Sequence, residues 1–518
     1  MLQEKSVFIT TPIYYVNAEP HIGHTYTTII ADTMKRFYKM LGADVFLLTG
    51  TDEHGEKIQE KAAENNMQPL EFADMISARF RTTWDEIGIE YDDFIRTTEQ
   101  RHTKVVREVL RKVHEKGDIY FDEYEGNYCV GCERFLRDNE LVNGKCPDHD
   151  RVPKIVKESN YFFRMSKYQK ELGKHIAKHT DFIRPEQYRK EVLSFLNEPL
   201  EDLCISRPKN RLTWGVELPF DTNYVTYVWF DALLNYVSAL GYPDSMNFER
   251  LWPGSRHIIG KDILKTHAIY WPTMLMSAGI PLYQHLDVHG FWLRGETKMS
   301  KSLGNVVSPL DFKNKFGIEP LRYFYLREMS FGSDGNFTYE LFLEKYNADL
   351  ANGLGNLFNR TCSMIGKYFD GIIPNAGYLD ETGGHLRDQI KNLVSEYENL
   401  WETYKMQQYI LRQWEIFKLA DQYIETTRPW ELAKDAANKD KLGGILSTIL
   451  EMLRISAILL HPVLPETSLK MLAAINMPTR LNGHDTFSKI VGWGQLPSGK
   501  TLNQIPVLFP RLTPEQIL

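Results

Sequence analysis

Pro20-His21-Ile22-Gly23-His24 is the stretch of sequence that decides the fold. It follows an apolar run, residues 6–10, that has the length and β-branched content of a buried strand. It precedes residues 25–41, in which apolar side chains recur at helical spacing. The two histidines therefore lie where a strand passes into a helix, and a helix N-terminus carries N–H groups and partial positive charge that suit a phosphate. The alternative is that they are ordinary polar residues of a helix start, because short motifs also arise by chance.

A second stretch, Lys298-Met299-Ser300-Lys301-Ser302, lies about midway along the chain. It places two ammonium groups and two hydroxyls on one short segment, which suits a triphosphate whose charge grows during displacement. By itself it is equally compatible with a solvated basic turn. Taken together, the two stretches resemble the two signatures of the class I aminoacyl-tRNA synthetases, and both match the family pattern without substitution.

Strand-like and helix-like segments alternate over residues 5–117 and again from about 225, which predicts a parallel sheet with its site at the carboxyl ends of the strands. Asp52, Glu53 and His54 follow the second predicted strand, so they are expected at the same edge as the two histidines. The alternative for this acid and histidine is a capping or turn role.

Four residues between positions 129 and 149 have the spacing of a tetrahedral Zn²⁺ site. They are Cys129, Cys132, Cys146 and His149. Three thiolates and an imidazole leave no open coordination position, which indicates one structural ion that helps a segment with little core of its own to fold. Unligated cysteines in a loop and a redox or catalytic role are the alternatives. Cys204 and Cys362 have no partner in the pattern and are expected to be buried apolar residues.

Aromatic side chains flank several predicted strand ends. Core packing is their usual fate, but an aromatic pocket with one hydroxyl and one imidazole also suits a polarizable thioether. Segments 12–21, 50–55, 228–232 and 260–262 resemble the methionyl-tRNA synthetases, and the resemblance covers nearly the whole chain. It implies a methionine site formed by Ile13, Tyr15, Asp52, Trp229, Ala232, Leu233, Tyr236, His267 and Trp271. Asp52 would receive the α-ammonium group, and Leu233 departs from the Pro that some members have there.

The resemblance also implies an ATP site and a two-step reaction. The ATP site would comprise His21, Gly23, His24, Gly260, Asp262, His289, Lys298, Ser300 and Lys301. His21, His24, Lys298 and Lys301 would be the catalytic residues, acting with Mg²⁺ by positioning and charge neutralisation. The methionine carboxylate would attack the α-phosphate in line, and the methionyl group would then pass to the 3′-terminal adenosine of tRNA(Met), elongator and initiator alike.

Beyond Gly335 the pattern becomes helical, and a bundle is predicted over residues 341–480. Asn356 and Arg360 are neighbours on one helix, and Trp430 follows a proline that can open a new helix. An exposed Trp beside Arg and Asn can stack on an unpaired base, whereas a Trp packed into the bundle is the alternative. The resemblance implies that these three residues bind the anticodon.

The predicted fold class is therefore α/β, with a Rossmann-type parallel sheet nucleotide-binding domain that carries a zinc-bearing insertion and is followed by an all-α anticodon-binding bundle. The predicted domains are 1–117 (first half of the catalytic domain), 118–224 (zinc-bearing insertion), 225–340 (second half, with the 298–302 loop), 341–480 (helical domain) and 481–518 (a tail packing back on the body).

Composition narrows the class of protein. The 518 residues are 43% apolar and 25% charged, as in ordinary globular domains, and no run of 18 apolar residues suggests a membrane span. Five cysteines and a strand at the very start favour a cytoplasmic protein. The chain reaches Leu518 soon after residues 507–511, without the extra domain through which many relatives dimerise, so a monomer is expected. A synthetase for another apolar amino acid and an inactive synthetase-like RNA-binding protein are the alternatives.

Overall fold

The main sheet has seven strands. The computed structural model describes residues 6–129, 134–136, 138–147, 150–294, 297–298, 308–481 and 484–516. The chain divides into a sheet unit, residues 6–31 and 46–289, and a helical unit, residues 32–45 and 290–516. Each unit has its own core.

The strands are β1 (Ser6–Thr10), β2 (Tyr14–Tyr15), β3 (Asp44–Asp52), β4 (Asp93–Arg96), β5 (Ile119–Cys129), β6 (Arg134–Leu136), β7 (Lys154–Phe163), β8 (Ile183–Arg184), β9 (Leu203–Cys204), β10 (Ser206–Pro208), β11 (Glu217–Leu218), β12 (Asp221–Thr226), β13 (Ser255–Gly260), β14 (His285–His289), β15 (Trp292–Arg294), β16 (Thr297–Lys298) and β17 (Gly335–Asn336).

The α-helices are α1 (Ile22–Met40), α2 (Glu56–Glu64), α3 (Pro69–Glu86), α4 (Gln100–Glu115), α5 (Gln169–Lys178), α6 (Glu186–Phe195), α7 (Val228–Ala232), α8 (Asn235–Ser238), α9 (Met246–Leu251), α10 (Trp271–Ala278), α11 (Pro309–Phe316), α12 (Glu319–Glu328), α13 (Tyr339–Lys345), α14 (Asn356–Tyr368), α15 (Glu381–Glu402), α16 (Met406–Thr427), α17 (Pro429–Leu432), α18 (Lys439–Leu459), α19 (Pro465–Ala474) and α20 (His484–Ile490). Two π-helices, Thr266–Tyr270 and Tyr346–Gly355, precede α10 and α14.

The main sheet has the order β2-β3-β1-β13-β14-β8, with β4 beside β3. Its described pairings are parallel, and the register places Thr10 opposite His257 and Gly260 opposite His289. The predicted parallel sheet is thereby confirmed. β13 and β14 are buried along their whole length, and they include buried polar residues such as Arg256, His257 and Asp287.

Close packing of β3 against β4 depends on a glycine. A Cβ atom at Gly50 would lie 2.0 Å from the Ile95 carbonyl oxygen, so no larger residue fits without moving the backbone. Gly50 pairs with Ile95 in the register of the two strands. The glycine lies two residues before Asp52, and this close contact therefore sets where the end of β3 emerges from the sheet.

The segment between the two halves of the sheet contains antiparallel sheets. The strands β6-β5-β7-β9 form one, with β5 and β7 paired over ten residues, and β10-β12-β11 form another. One strand of this segment, β8, joins the edge of the main sheet beside β14. The sequence pattern did not reveal β8, because two residues show no periodicity.

The helical unit is arranged around α18, of which every residue from Leu442 to Leu459 is buried. This confirms the predicted helical domain. Residues 436–459 are long and apolar enough to cross a membrane, but the whole apolar window is buried inside the protein. This segment therefore forms the core helix of the bundle.

Candidate active site

The stacked histidine pair lies at the carboxyl end of β1. The rings of His21 and His24 are 3.7 Å apart with an interplanar angle of 24°. The His21 Nδ1 accepts from the Gly23 N–H at 3.1 Å, and the His24 Nδ1 accepts from the His21 N–H at 3.4 Å. In a neutral ring the proton then lies on Nε2, where it is available for a phosphate oxygen.

Gly23 allows this arrangement because a Cβ atom there would lie 2.9 Å from the His21 ring. The start of α1 is tied to the sheet as well. The Thr27 hydroxyl and the His289 Nε2 are 2.7 Å apart, and Gly260 and His289 are paired at the ends of β13 and β14. Asp262 follows in the exposed turn after β13. Six predicted ATP-binding residues thus lie along one edge of the sheet, and they are His21, Gly23, His24, Gly260, Asp262 and His289.

Asp52 is the last residue of β3, at the same edge, and it is paired in register with Tyr15 of β2. Its side chain is largely buried. The Val16 N–H donates to the Asp52 carbonyl oxygen at 3.2 Å, which fixes the backbone on both sides of the carboxylate. A mostly buried carboxylate at a strand end is suited to a cationic ligand group.

A buried aromatic pocket lies behind this edge. The Tyr236 hydroxyl and the His267 Nε2 are 2.8 Å apart, and the His267 Nδ1–H donates to the Ile263 carbonyl oxygen at 3.0 Å. The second contact leaves Nε2 as an acceptor, so Tyr236 donates. Burial lowers the pKa of His267 to about 4, and the imidazole is therefore neutral at pH 7. Trp271 lies with its ring 5.9 Å from that of Tyr236.

The π-helix Thr266–Tyr270 carries His267 and runs directly into α10. Pro272 at the start of α10 has no N–H to donate, which interrupts the α-helical hydrogen bonding before it. π-helical turns are often found at functional sites. The remaining predicted methionine residues pack on the same core as Tyr236 and Trp271, with Leu233 buried and Ile13, Tyr15 and Trp229 half-buried. Ala232 is buried at the end of α7.

His257 was missed by the sequence analysis. Its Nδ1 is 2.8 Å from the Thr10 hydroxyl, its Nε2 accepts from the Trp271 indole N–H at 3.2 Å, and its ring stacks on Tyr236 at 4.1 Å. Burial holds its pKa well below the usual range, so the ring is neutral. A histidine directly before the apolar pair Ile258 and Ile259 of a predicted strand is the signal that could have identified it.

Some predicted site residues lie outside the described residues. Ser300 and Lys301 belong to this group, as do Cys132 and His149. Lys298 is the last residue of β16, and only its backbone is described.

Two of the four predicted zinc ligands are described, and they come together. Cys129 and Cys146 form a small core cluster with Leu136, separate from the main core, and Leu141 packs against it. The Cys146 N–H and carbonyl oxygen bond to Arg151 and Asp150, which closes a tight turn around the thiol. Two buried thiols in so small a cluster fit half of a tetrahedral zinc site. Within the described part of the chain, no group of three or more candidate ligands is assembled. Cys204 and Cys362 are buried, as expected.

The predicted anticodon residues meet on the helical unit. The Arg360 guanidinium lies 5.5 Å from the centre of the Trp430 ring, and its Nη2 is paired with Glu425 at 2.7 Å. Asn356 is exposed one helical turn earlier, at the end of the π-helix Tyr346–Gly355. Trp430 is half-buried, not fully exposed, which leaves part of its ring accessible.

Comparisons with known proteins match the chain to one family over nearly its whole length. The family model "tRNA synthetases class I (M)" matches residues 7–152 and 149–362, and "Anticodon binding domain of methionyl tRNA ligase" matches residues 373–518. The methionine–tRNA ligase of Caldanaerobacter subterraneus is 42% identical over 99% of this chain and 80% of its own length. That of Bacillus subtilis is 43% identical over 100% and 79%.

A solved structure with similar architecture is the Mycobacterium tuberculosis methionyl-tRNA synthetase in complex with methionyl-adenylate. It superposes with a TM-score of 0.93 at 38% identity, covering 98% of this chain and all of that one. Both the family models and the relatives extend over nearly the whole sequence. The chain therefore belongs to the methionyl-tRNA synthetases, within class I of the aminoacyl-tRNA synthetases.

Proposed function

We propose how this methionine–tRNA ligase divides its reaction among its residues. The enzyme joins methionine to ATP, releasing pyrophosphate, and transfers the methionyl group from the adenylate to the 3′-terminal adenosine of tRNA. The observation that carries the assignment of residues is the edge of the main sheet, where a stacked histidine pair, a largely buried carboxylate and a neutral aromatic pocket converge.

Methionine occupies the pocket of Tyr236, His267 and Trp271. A neutral imidazole and a phenol already bonded to each other present an aromatic, largely apolar lining, which suits a thioether and excludes charged side chains. Asp52 binds the α-ammonium group, because a largely buried carboxylate stabilises a cation far better than a carboxylate exposed to water does. Methionine is then bound both at its side chain and at its α-ammonium group.

ATP lies along the sheet edge, with the Nε2–H groups of His21 and His24 donating to phosphate oxygens and Asp262 holding the ribose. Lys298 and Lys301 neutralise the charge that develops when the methionine carboxylate attacks the α-phosphate in line. Mg²⁺, if bound with ATP, would supply further charge neutralisation at the phosphates. No general base is required, because the attacking carboxylate is already ionised.

One zinc ion holds the insertion together, bound by Cys129, Cys132, Cys146 and His149. The convergence of Cys129 and Cys146 in a separate small cluster supports this assignment. The tetrahedral set leaves no position for a substrate, so the ion has a structural role.

The Arg360–Trp430 surface binds the anticodon of elongator and initiator tRNA(Met). A half-buried Trp beside a guanidinium offers a stacking face and fixed donors to one unpaired base. Binding displaces Glu425 from Arg360.

The protein acts as a cytoplasmic monomer. Light scattering at micromolar concentration tests the oligomeric state, and a dimer mass would contradict it.

Pyrophosphate–ATP exchange with each of the twenty amino acids, without tRNA, tests the reaction. Exchange that depends on methionine alone is expected. Exchange with a different amino acid would keep the fold and refute the pocket assignment. Absence of exchange in folded, zinc-containing protein would favour an inactive RNA-binding relative.

A further inference from the structure

A buried chain of hydrogen bonds joins three residues that the proposed reaction does not use. The His54 Nδ1 lies 2.6 Å from one carboxylate oxygen of Asp231, and the His102 Nε2 lies 2.9 Å from the other. The His102 Nδ1 lies 2.9 Å from the Ser238 hydroxyl. All three residues are buried, with exposed fractions of 6% for His54, 1% for Asp231 and 0% for His102.

These residues connect the two parts of the methionine site. His54 lies two positions after Asp52 at the end of β3, whereas Asp231 lies on α7 between Trp229 and Ala232. His102 projects from α4, and Ser238 ends α8, the helix that carries Tyr236. The chain of bonds therefore links the loop after Asp52 to α7 and α8, the helices that carry Trp229 and Tyr236.

The loop after β3 is fixed independently on its other side. The Arg96 guanidinium donates to both carboxylate oxygens of Glu53, at 2.7 and 2.9 Å, and the Thr98 hydroxyl adds a third bond. These contacts tie the loop to β4 and the residues that follow it. The His54–Asp231 hydrogen bond ties the same loop to α7.

Core packing alone does not account for this arrangement. Burial by itself would raise the pKa of Asp231, but His54 and His102 outweigh that effect and hold the pKa below its usual range. A buried carboxylate must be paired to be tolerated, and apolar residues of similar volume would fill the space at lower cost. The hydrogen bonds of the polar chain specify the position of the loop, because they are satisfied in only one placement of the loop against α7.

We propose that Asp231 is a positioning residue, which through His54 and His102 sets the distance between the Asp52 carboxylate and the aromatic pocket. The inference rests on the proposed role of Asp52 in binding the α-ammonium group of methionine. Its consequence is specific to one substrate, because ATP binds along a different part of the edge. Loss of the chain should therefore weaken methionine binding while ATP binding persists.

Pyrophosphate–ATP exchange of Asp231→Asn, with methionine and ATP varied separately, tests the proposal. The substitution keeps the volume but removes the charge and turns an N–H2 group toward a histidine N–H. The KM for methionine should rise by about 10- to 100-fold, because small misplacements of a binding group cost this much, whereas the KM for ATP should change less than about twofold. Equal increases in both constants would indicate general damage and overturn the inference.

A second pair of variants keeps the test valid if Asp231→Asn fails to fold. In His54→Asn the amide N–H can replace the Nδ1–H, whereas His54→Leu has no donor at all. The asparagine variant should retain a methionine KM within about threefold of the wild type, and the leucine variant should show an increase of about tenfold or more. Equal effects of the two would refute the proposal.

His285→Leu is the matched control. His285 is also buried and also uses Nδ1, which bonds to the Asp181 carbonyl oxygen, but it lies at the opposite end of the sheet. Its loss should reduce stability without changing the methionine KM. Absence of methionine-dependent exchange in the wild type would refute the proposed function itself, whereas normal wild-type exchange with an unchanged methionine KM in Asp231→Asn would refute only the positioning role.

Discussion

Among single residues, Tyr236 shows how one hydroxyl fixes the state of a neighbouring ring. Its O–H donates to the His267 Nε2, and the Ile263 carbonyl oxygen accepts from the Nδ1–H of the same ring. Both ring nitrogens are therefore satisfied in the neutral tautomer. This pair of bonds and the burial of the ring together keep the proposed methionine pocket uncharged.

Tyr236→Phe tests this pair of bonds. The substitution leaves a buried acceptor unsatisfied, which costs about 1–3 kcal/mol, and allows the His267 ring to turn. We expect the methionine KM in pyrophosphate–ATP exchange to rise by about tenfold, with the ATP KM unchanged. Tyr397→Phe is the control, because that buried hydroxyl donates to the Leu459 carbonyl oxygen in the helical unit. An equal rise in both variants would contradict the prediction.

Buried neutral histidines also make stability depend on pH. Burial lowers the pKa of His267 and of His285 to about 4, and that of His257 well below its usual range. Below pH 6.5 the unfolded chain binds protons that the folded chain does not, so stability falls as the pH decreases, until the folded pKa is reached.

Urea unfolding at pH 7 and pH 5 measures this loss. Each such histidine should remove about 2 kcal/mol from the free energy of unfolding over that interval. His285→Leu, which lacks one of these groups, should show a smaller difference between the two pH values than the wild type. An identical difference in the variant would contradict the assignment.

Among elements, the end of β5 and the strand β6 share a cluster too small to be a conventional core. Cys129 and Cys146 share it with Leu136, and Leu141 packs against it. Burial of so few apolar atoms offsets only a small part of the chain entropy lost on ordering the segment. A metal ion bound there would contribute most of the missing free energy.

Metal analysis of Cys146→Ser tests the zinc site. The wild type, purified without chelator, should contain about one zinc per chain, and the variant should contain almost none. Limited proteolysis should cleave the variant within residues 118–163 faster than the wild type. Cys204→Ser, which changes a buried thiol outside the cluster, should keep its zinc. Loss of zinc from Cys204→Ser, or its absence from the wild type, would refute the site.

In the whole molecule, the predicted methionine and anticodon residues lie in different units. Residues of the sheet unit form the predicted methionine site, whereas Asn356, Arg360 and Trp430 all belong to the helical unit. In the proposed assignment, activation of methionine uses the first set together with the loop at 298–302, and recognition of the anticodon uses the second set.

Trp430→Ala tests this division. Removing a ring that stacks on a base costs about 1–3 kcal/mol, so the KM for tRNA(Met) in aminoacylation should rise by about 10- to 100-fold. Pyrophosphate–ATP exchange should stay within about twofold of the wild type. Trp493→Ala, a change of another half-buried Trp of the helical unit, is the control and should leave the tRNA KM unchanged. Loss of exchange in Trp430→Ala would show that the residue supports the fold instead.

The sequence by itself determined the parallel sheet, the helical domain and the family. Those features are local, because each is recognised from residues that are close together in the chain. This holds for apolar runs, for helical spacing and for the motifs around His21 and Lys298. Leu233 and Trp271 could be assigned only by resemblance, since residue type does not distinguish a pocket wall from ordinary core.

Only the tertiary structure decided the long-range side-chain pairings. His257 meets Thr10 across 247 positions of sequence, and Asp231 meets His54 and His102 across 177 and 129 positions. No sequence periodicity links such residues. A histidine that binds a ligand and a histidine that bonds to a neighbouring side chain have the same appearance in the sequence. The physical reason is that hydrogen bonds need directions and distances, which exist only after the strands and helices have packed.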